Sequence, residues 1–254
     1  MPLLEAAAIL LAGVAAGTIN TVVGSGTLIT FPTLLAFGVP PVTANVSNNI
    51  GLVPGSVSGA IGYRRELAGQ RSRVLRLLSG SLIGGATGAV LLLVLPEDAF
   101  SAIVPVLILL GVVLVIFQPR LSAWVAGRSE ARGDTGRDGA WWVWPAVLLT
   151  GVYGGYFGAA QGVLLMAVLG IGVAEHLQRL NAVKNVLAAG VNGVAGLLFA
   201  FVADVDWLIV ALIGAGSVVG GVLGASVGRR LPPLVLRAII VIVGLVALCA
   251  LLLT

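Results

Sequence analysis

The feature that most constrains this chain is a series of long apolar runs with almost nothing between them to face water. Eight stretches, 3–23, 43–62, 74–95, 99–118, 141–158, 183–203, 207–227 and 234–253, are rich in Leu, Val, Ile, Ala and Gly. Each is about 18–22 residues, enough for a helix to cross a hydrocarbon layer of about 30 Å. Two further stretches, 27–38 and 163–174, are equally apolar but shorter. They read as short or kinked spans, or as re-entrant pieces, and Pro32 argues against a straight helix in the first. Only 9% of the 254 residues are charged, 14 basic and 10 acidic, where a soluble domain needs about 25% to coat its surface. The expected fold class is therefore an all-α polytopic membrane protein. A soluble enzyme, a secreted disulfide scaffold and a nucleic-acid-binding domain are excluded. The lone Cys249, inside the last run, reads as a buried apolar side chain.

Charge placement sets the expected topology. Arg64, Arg65, Arg71, Arg73 and Arg76 crowd the turn after 43–62, and Arg229, Arg230 and Arg237 flank the last one. The turns at Glu97-Asp98 and at Asp204 and Asp206 carry no basic residue. The positive-inside rule puts the basic turns in the cytoplasm, which suits a multi-pass protein of the cytoplasmic (inner) membrane. Residues 1–23 have Glu5 where a leader carries basic residues and show no clear cleavage site, so they read as the first membrane segment. The segment 119–140, mixed in Gly, Arg and Asp, reads as a cytoplasmic linker between a first membrane repeat, 1–118, and a second, 141–254. Counting crossings inward from the basic turns gives an external N-terminus and requires 141–180 to leave the cytoplasm and return. The two halves would then be inverted repeats, each of four long segments and one short one.

The two halves also resemble each other directly. At an offset of 136, Gly26 matches Gly162, Asn45 matches Asn181 and Asn49 matches Asn185. Asn45, Asn48, Asn49 and Ser56 form one stripe, and Asn181, Lys184, Asn185 and Asn192 form its counterpart; this spacing falls on one helical face. Gly13 and Gly17 are mirrored by Gly151 and Gly155, shifted by two residues. Weak inverted repeats with an interrupted segment in each are a recurring plan of secondary transporters.

Two uses are open for the stripes, lining a polar cavity or bonding helix to helix. Lys184 either snorkels to the cytoplasmic surface or offers its charge to a cavity. Gly24-Ser25-Gly26-Thr27 and Ala159-Ala160-Gln161-Gly162 lie where a long helix should break and a short one begin. Such breaks either pack helices closely or expose N–H groups that attract an anion, with Asn20, Thr21, Ser25 and Thr27 adding side-chain donors. Gly84, Gly85, Gly88, Gly220, Gly221 and Gly224 sit inside apolar runs and read as packing positions.

Absences narrow the chemistry. No Asp or Glu lies in the middle of an apolar run, so no carboxylate proton relay is visible. Glu175 and His176 read as a solvated interfacial pair, and Tyr153 and Tyr156 as candidate cavity hydroxyls. Trp124, Trp141, Trp142, Trp144 and Trp207 fall mostly where interfacial anchors sit. No cluster has metal-ligand spacing and no nucleophile has a base beside it, so neither cofactor nor enzymatic activity is expected.

The stretch from Gly17 and Asn20 through Gly24-Ser25-Gly26-Thr27 to Phe31-Pro32 carries a family resemblance. It continues with Gly38, Pro40-Pro41, Asn45, Asn48-Asn49, Gly59 and Tyr63-Arg64, and Leu180-Asn181, Lys184-Asn185 join it from the second half. This pattern resembles the TauE/SafE family of sulfite and organosulfonate exporters and related anion permeases. The resemblance implies a secondary transporter or facilitator moving a small sulfur-containing oxyanion, such as sulfite, sulfoacetate or another organosulfonate. Outward movement by alternating access is expected, with an anion channel or a non-transporting membrane scaffold as alternatives. The expected substrate-binding set is Asn20, Thr21, Gly24, Ser25, Gly26, Thr27, Asn45, Asn48, Asn49, Gln161, Gly162, Asn181, Lys184 and Asn185. The partners are the anion and the lipid bilayer, with a homodimer compatible with the glycine-rich helix faces and no nucleic acid.

Overall fold

The structure, a computed structural model, describes residues 1–131, 139–226, 238, 240–246 and 248–249. Among these residues every regular element is an α-helix: α1 (Leu3–Val22), α2 (Thr27–Ala36), α3 (Pro41–Gly62), α4 (Arg71–Val94), α5 (Glu97–Ala131), α6 (Val143–Tyr156), α7 (Gln161–Gly172), α8 (Leu177–Val202) and α9 (Trp207–Ser226). Residues 240–246 are helical as well. The helices Leu3–Val22, Arg71–Val94, Glu97–Arg120, Leu177–Val202 and Trp207–Ser226 are long and apolar enough to span a bilayer. Most of the expected 234–253 segment lies outside the described residues.

Three boundaries and one burial correct the sequence reading. The run 141–158 yields only the 14 residues of α6, about 21 Å of helix, because Phe157 and Gly158 turn back. Both donate to the Tyr153 carbonyl, at 3.0 and 3.1 Å, and Gly158 adopts φ 77°. A hydropathy sum counts those residues as apolar and does not register the turn. Helix α8 begins at Leu177 rather than 183, so Asn181 and Lys184 sit well inside a helix. Helix α5 continues to Ala131, making the first part of the expected linker helical; residues 132–138 lie outside the described set. Cys249 is exposed, since a surface that faces lipid gives an apolar thiol no reason to turn inward.

Helix starts carry local signals. Asp206 accepts from the N–H groups of Leu208 (3.0 Å) and Ile209 (3.1 Å), satisfying donors that open α9. Its own N–H donates to the Ser47 hydroxyl at 3.0 Å, which joins the start of α9 to the start of α3. On the opposite end, the Gln70 amide donates to the Arg179 carbonyl at 3.3 Å, joining the starts of α4 and α8. Helices α3 and α8 therefore run antiparallel.

Glycines set how the helices cross. A methyl on Gly84 or Gly88 of α4 would lie 2.1 and 2.0 Å from the carbonyl oxygens of Leu148 and Val152 on α6. A methyl on Gly216 or Gly220 of α9 would lie 2.3 and 2.1 Å from those of Leu10 and Val14 on α1. The facing positions match as well: Gly17 meets the Ser217 carbonyl and Gly155 meets that of Gly85. So α1 lies parallel to α9 and α6 parallel to α4, each through backbone-to-backbone contact that any side chain would block. Helices α3 and α8 pack on α9 and α4 respectively and on each other, and the broken helices sit around that central crossing.

Candidate functional site

The site is built where two helix breaks meet. Helix α1 ends at Val22 and α2 starts at Thr27; α6 ends at Tyr156 and α7 starts at Gln161. The turns need left-handed backbone at Gly24 (φ 91°), Gly158 (φ 77°) and Ala160 (φ 60°); at Ala160 the Cβ makes that conformation strained. The Gly162 N–H donates to the Gly24 carbonyl at 2.9 Å. A methyl on either glycine would lie 2.4 Å from the other's Cα. The two breaks are thus in backbone contact, which only glycine on both sides permits.

Beside this contact lies a small polar cavity. Asn20, Thr21 and Gly24 line it from α1 and its break, Thr27 from α2 and Ser56 from α3. Gly158, Gln161 and Gly162 line it from the second break, with Asn185, Ala188 and Asn192 from α8. About 20 Å³ is open to the centres of water-sized molecules, room for one or two waters. Asn192 donates to the Ser56 hydroxyl at 3.2 Å across the α3–α8 crossing. Two buried groups of the breaks have no partner among the described residues, the side-chain NH₂ of Gln161, which lines the cavity, and the hydroxyl of Ser25, which does not. Among the described residues no Asp or Glu lines the cavity.

Of the expected binding set, Asn20, Thr21, Gly24, Thr27, Gln161, Gly162 and Asn185 line this cavity, and Ser25 lies in the same break. The others are placed differently. The Gly26 N–H is taken by Asn20 Oδ1 at 2.9 Å and that of Gly162 by Gly24, so neither is a free anion donor as expected. Asn45 donates to the Tyr156 carbonyl at 2.9 Å, capping the broken end of α6. Asn48 bonds Thr27 and Thr30 of α2. Asn49 turns towards Gly196 of α8 and its Oδ1 is unpartnered.

Lys184 corrects both sequence options. It neither snorkels to the surface nor lines the cavity; it is 0% exposed. Its Nζ donates to the carbonyls of Asn20 (3.0 Å) and Thr21 (3.2 Å). Asn181 and Asn185 each donate to the Thr21 carbonyl at 3.3 Å. These are carbonyls of the last turn of α1, which have no intrahelical donor and carry the negative end of the helix dipole. The stripes therefore do both jobs. Asn181 and Lys184 in one, and Asn45 in the other, cap a broken helix of the opposite half, while Ser56, Asn185 and Asn192 reach the cavity.

Sequence reasoning missed Gly158 and Ala188 as cavity lining. Gly158 was legible as a further glycine in the second break. Ala188 carried no signal, being one small residue among many. Tyr153 is not a cavity hydroxyl; its OH donates to the Ala159 carbonyl inside the break. The Tyr156 OH is buried without a partner among the described residues.

At the arginine-rich end, Glu175 is not a solvated residue. Its side chain is 18% exposed and pairs with Arg73 at 3.3 Å and Arg179 at 3.0 Å. Burial alone would raise its pKa. The His176 N–H and the two guanidinium groups outweigh that and hold the carboxyl below the usual carboxylate value. His176 itself is exposed. This cluster ties the start of α4 to the α7–α8 turn.

Residues 9–251 match the family described as Sulfite exporter TauE/SafE. The chain belongs to the TauE/SafE family. Among curated relatives of this TauE/SafE chain is a probable membrane transporter protein, ORF9, of a Sinorhizobium species. It is 28% identical over 243 residues, covering 91% of this chain and 85% of the relative. The probable membrane transporter protein YfcA of Escherichia coli K12 is 28% identical over 228 residues, covering 85% and 76%. A probable membrane transporter protein of Haemophilus influenzae is 26% identical over 236 residues, covering 91% and 88%. No solved structure matches. Family and relatives agree on a membrane transporter.

Proposed function

We propose that this TauE/SafE protein is a secondary transporter or facilitator that moves a small sulfur-containing oxyanion, such as sulfite, sulfoacetate or another organosulfonate, outward across the cytoplasmic membrane. The observation that carries this reading is the unpartnered buried NH₂ of Gln161 in a cavity lined by no Asp or Glu among the described residues, with the equally unpartnered Ser25 hydroxyl in the adjoining break. Leaving such groups unsatisfied costs about 1–3 kcal/mol each, a cost that an arriving oxyanion removes. A sulfo group offers three acceptor oxygens and no donor, which is the complement of this lining.

Alternating access is supported by how the two halves, 1–118 and 141–254, interlock. The parallel pairs α1–α9 and α6–α4 use matched glycine contacts, and α3 and α8 are antiparallel. That is the packing expected of inverted repeats whose breaks meet at the substrate site. A cavity with room for only one or two waters suits a carrier between openings better than a standing pore. An inside-negative potential supplies about 2.3 kcal/mol per charge per 100 mV, so an anion would leave without a coupling ion.

The test is anion flux from proteoliposomes holding the purified chain, with sulfite, sulfoacetate and taurine compared under an imposed gradient. Saturable flux of at least one of them, with stimulation by anion on the far side, is expected. No flux of any of the three from well-folded protein would overturn the proposal.

A further inference from the structure

The glycine seams divide the helices around the cavity into two bodies. Backbone contact fixes α1 to α9 and α6 to α4. Helix α3 joins the first pair: the Ser217 hydroxyl donates to the Gly51 carbonyl at 2.9 Å, and a methyl on Gly55 would lie 2.7 Å from the Ser217 carbonyl oxygen. Helix α8 joins the second, where a methyl on Gly85 would lie 3.1 Å from the Val191 Cα. One body is thus α1, α3 and α9, the other α4, α6 and α8, and each mixes helices from both halves of the chain. The seam between them, α3 against α8, is looser. A methyl on Gly193 would meet nothing within 4 Å, and an apolar groove of about 390 Å³ separates Ile50, Val53 and Pro54 from Gly193 and Leu197.

We propose that the two bodies rock about the α3–α8 crossing and that the caps on the broken helices are the two gates of the carrier. This rests on the reading of the cavity as the substrate site and names what parts to open it to each side. Ser56 and Asn192, both lining the cavity, bond across the crossing. Asn45 precedes Ser56, and Asn181 precedes Asn192, by the same three helical turns, about 16 Å along each helix. Because α3 and α8 are antiparallel, the two positions lie on opposite sides of the cavity. At the arginine-rich end, Asn181, Lys184 and Asn185 of one body hold the carbonyls of Asn20 and Thr21 of the other. At the opposite end, Asn45 holds the Tyr156 carbonyl across the same divide. Next in sequence, Phe157 packs edge-on against Phe31 of α2, with ring centres 5.1 Å apart.

A gate must part without a lasting penalty. The carbonyls held here are those freed by helix ends, and water entering an opened mouth satisfies them as the side chains do. Rocking that parts one grip presses the other together, so the cavity meets one face at a time.

The test is sided access to the cavity. In the full chain carrying Cys249→Ser, Ala188→Cys places a thiol in the cavity lining. Its reaction with a charged, membrane-impermeant maleimide is timed from each face of sealed, oriented membrane vesicles. Lys184→Met should raise the rate from the arginine-rich face by about tenfold or more, and Asn45→Leu from the opposite face, as for a carbonyl left without its donor. Asn181→Leu and Phe157→Leu, milder changes at the same two ends, should act in the same directions. A rise from both faces, from one and the same face in both variants, or from neither would overturn the inference, since a cap that only stabilises the fold loosens it without regard to side. Sulfoacetate or isethionate should slow the labelling wherever it occurs. Sided labelling that neither anion slows would support the gates and count against the oxyanion site.

Discussion

Gly162 donates its amide proton to the carbonyl of Gly24 across 2.9 Å, and neither Cα leaves space for a methyl group. This contact joins the break of the first half to the break of the second, and the polar cavity lies beside it. Replacing either glycine with alanine should push the breaks apart. Overpacking of this kind costs about 1–3 kcal/mol, and at Gly24 the φ of 91° adds strain. The apparent melting temperature in detergent should fall for Gly24→Ala and Gly162→Ala. Gly193→Ala, with nothing within 4 Å of the new methyl, should leave it unchanged or raise it slightly.

The unpartnered Ser25 hydroxyl gives a sharper separation of binding from folding. A buried polar group with no partner contributes nothing to stability, and its removal can even stabilise. Ser25→Ala should therefore melt at or above the temperature of the unaltered protein, while apparent affinity for sulfite falls by about tenfold or more, as for a lost hydrogen bond to a charged ligand. Asn45→Leu should do the reverse in melting. It removes the cap on the Tyr156 carbonyl and lowers thermal stability before any ligand is added.

Much of this arrangement was legible in the chain itself. The apolar runs gave the membrane class, and the paired glycine breaks and asparagine stripes marked the regions that meet. What could not be read was the direction in which each side chain donates. Asn45 and Lys184 lie on the expected helical faces, yet they cap carbonyls freed by the breaks of α6 and α1. The partner of a buried donor is fixed by which helix end arrives beside it, and spacing along one helix does not encode that. Helix α6 was overestimated for a related reason, since the turn at Gly158 is a backbone event inside an apolar run.

The ion pairs of Glu175 set an expectation for acid. Its pKa lies below the ordinary carboxylate value in the folded protein. The pairs with Arg73 and Arg179 therefore contribute at neutral pH, and that contribution is lost as pH falls from the ordinary carboxylate range through the lowered value. Thermal melting followed from neutral pH into acid should decline across that interval. Glu175→Gln should start lower at neutral pH and show a shallower decline.

Asp206 closes the start of α9 with two hydrogen bonds. Asp206→Ala should cost about 1 kcal/mol, and Asp206→Asn, which keeps an accepting oxygen, much less. Denaturation midpoints of the two variants, measured side by side, check this.

The most direct measurement is sulfite flux from proteoliposomes carrying Ser25→Ala together with Gln161→Leu, compared with unaltered protein at equal reconstituted amount. A lipid-facing change, Leu149→Ala at a side chain 67% exposed, serves as the control. If donors from both breaks hold the anion, the double variant should lose about a hundredfold or more in flux at low sulfite while remaining folded, and the control should keep it. Undiminished flux in the double variant would contradict an oxyanion site built from the two breaks.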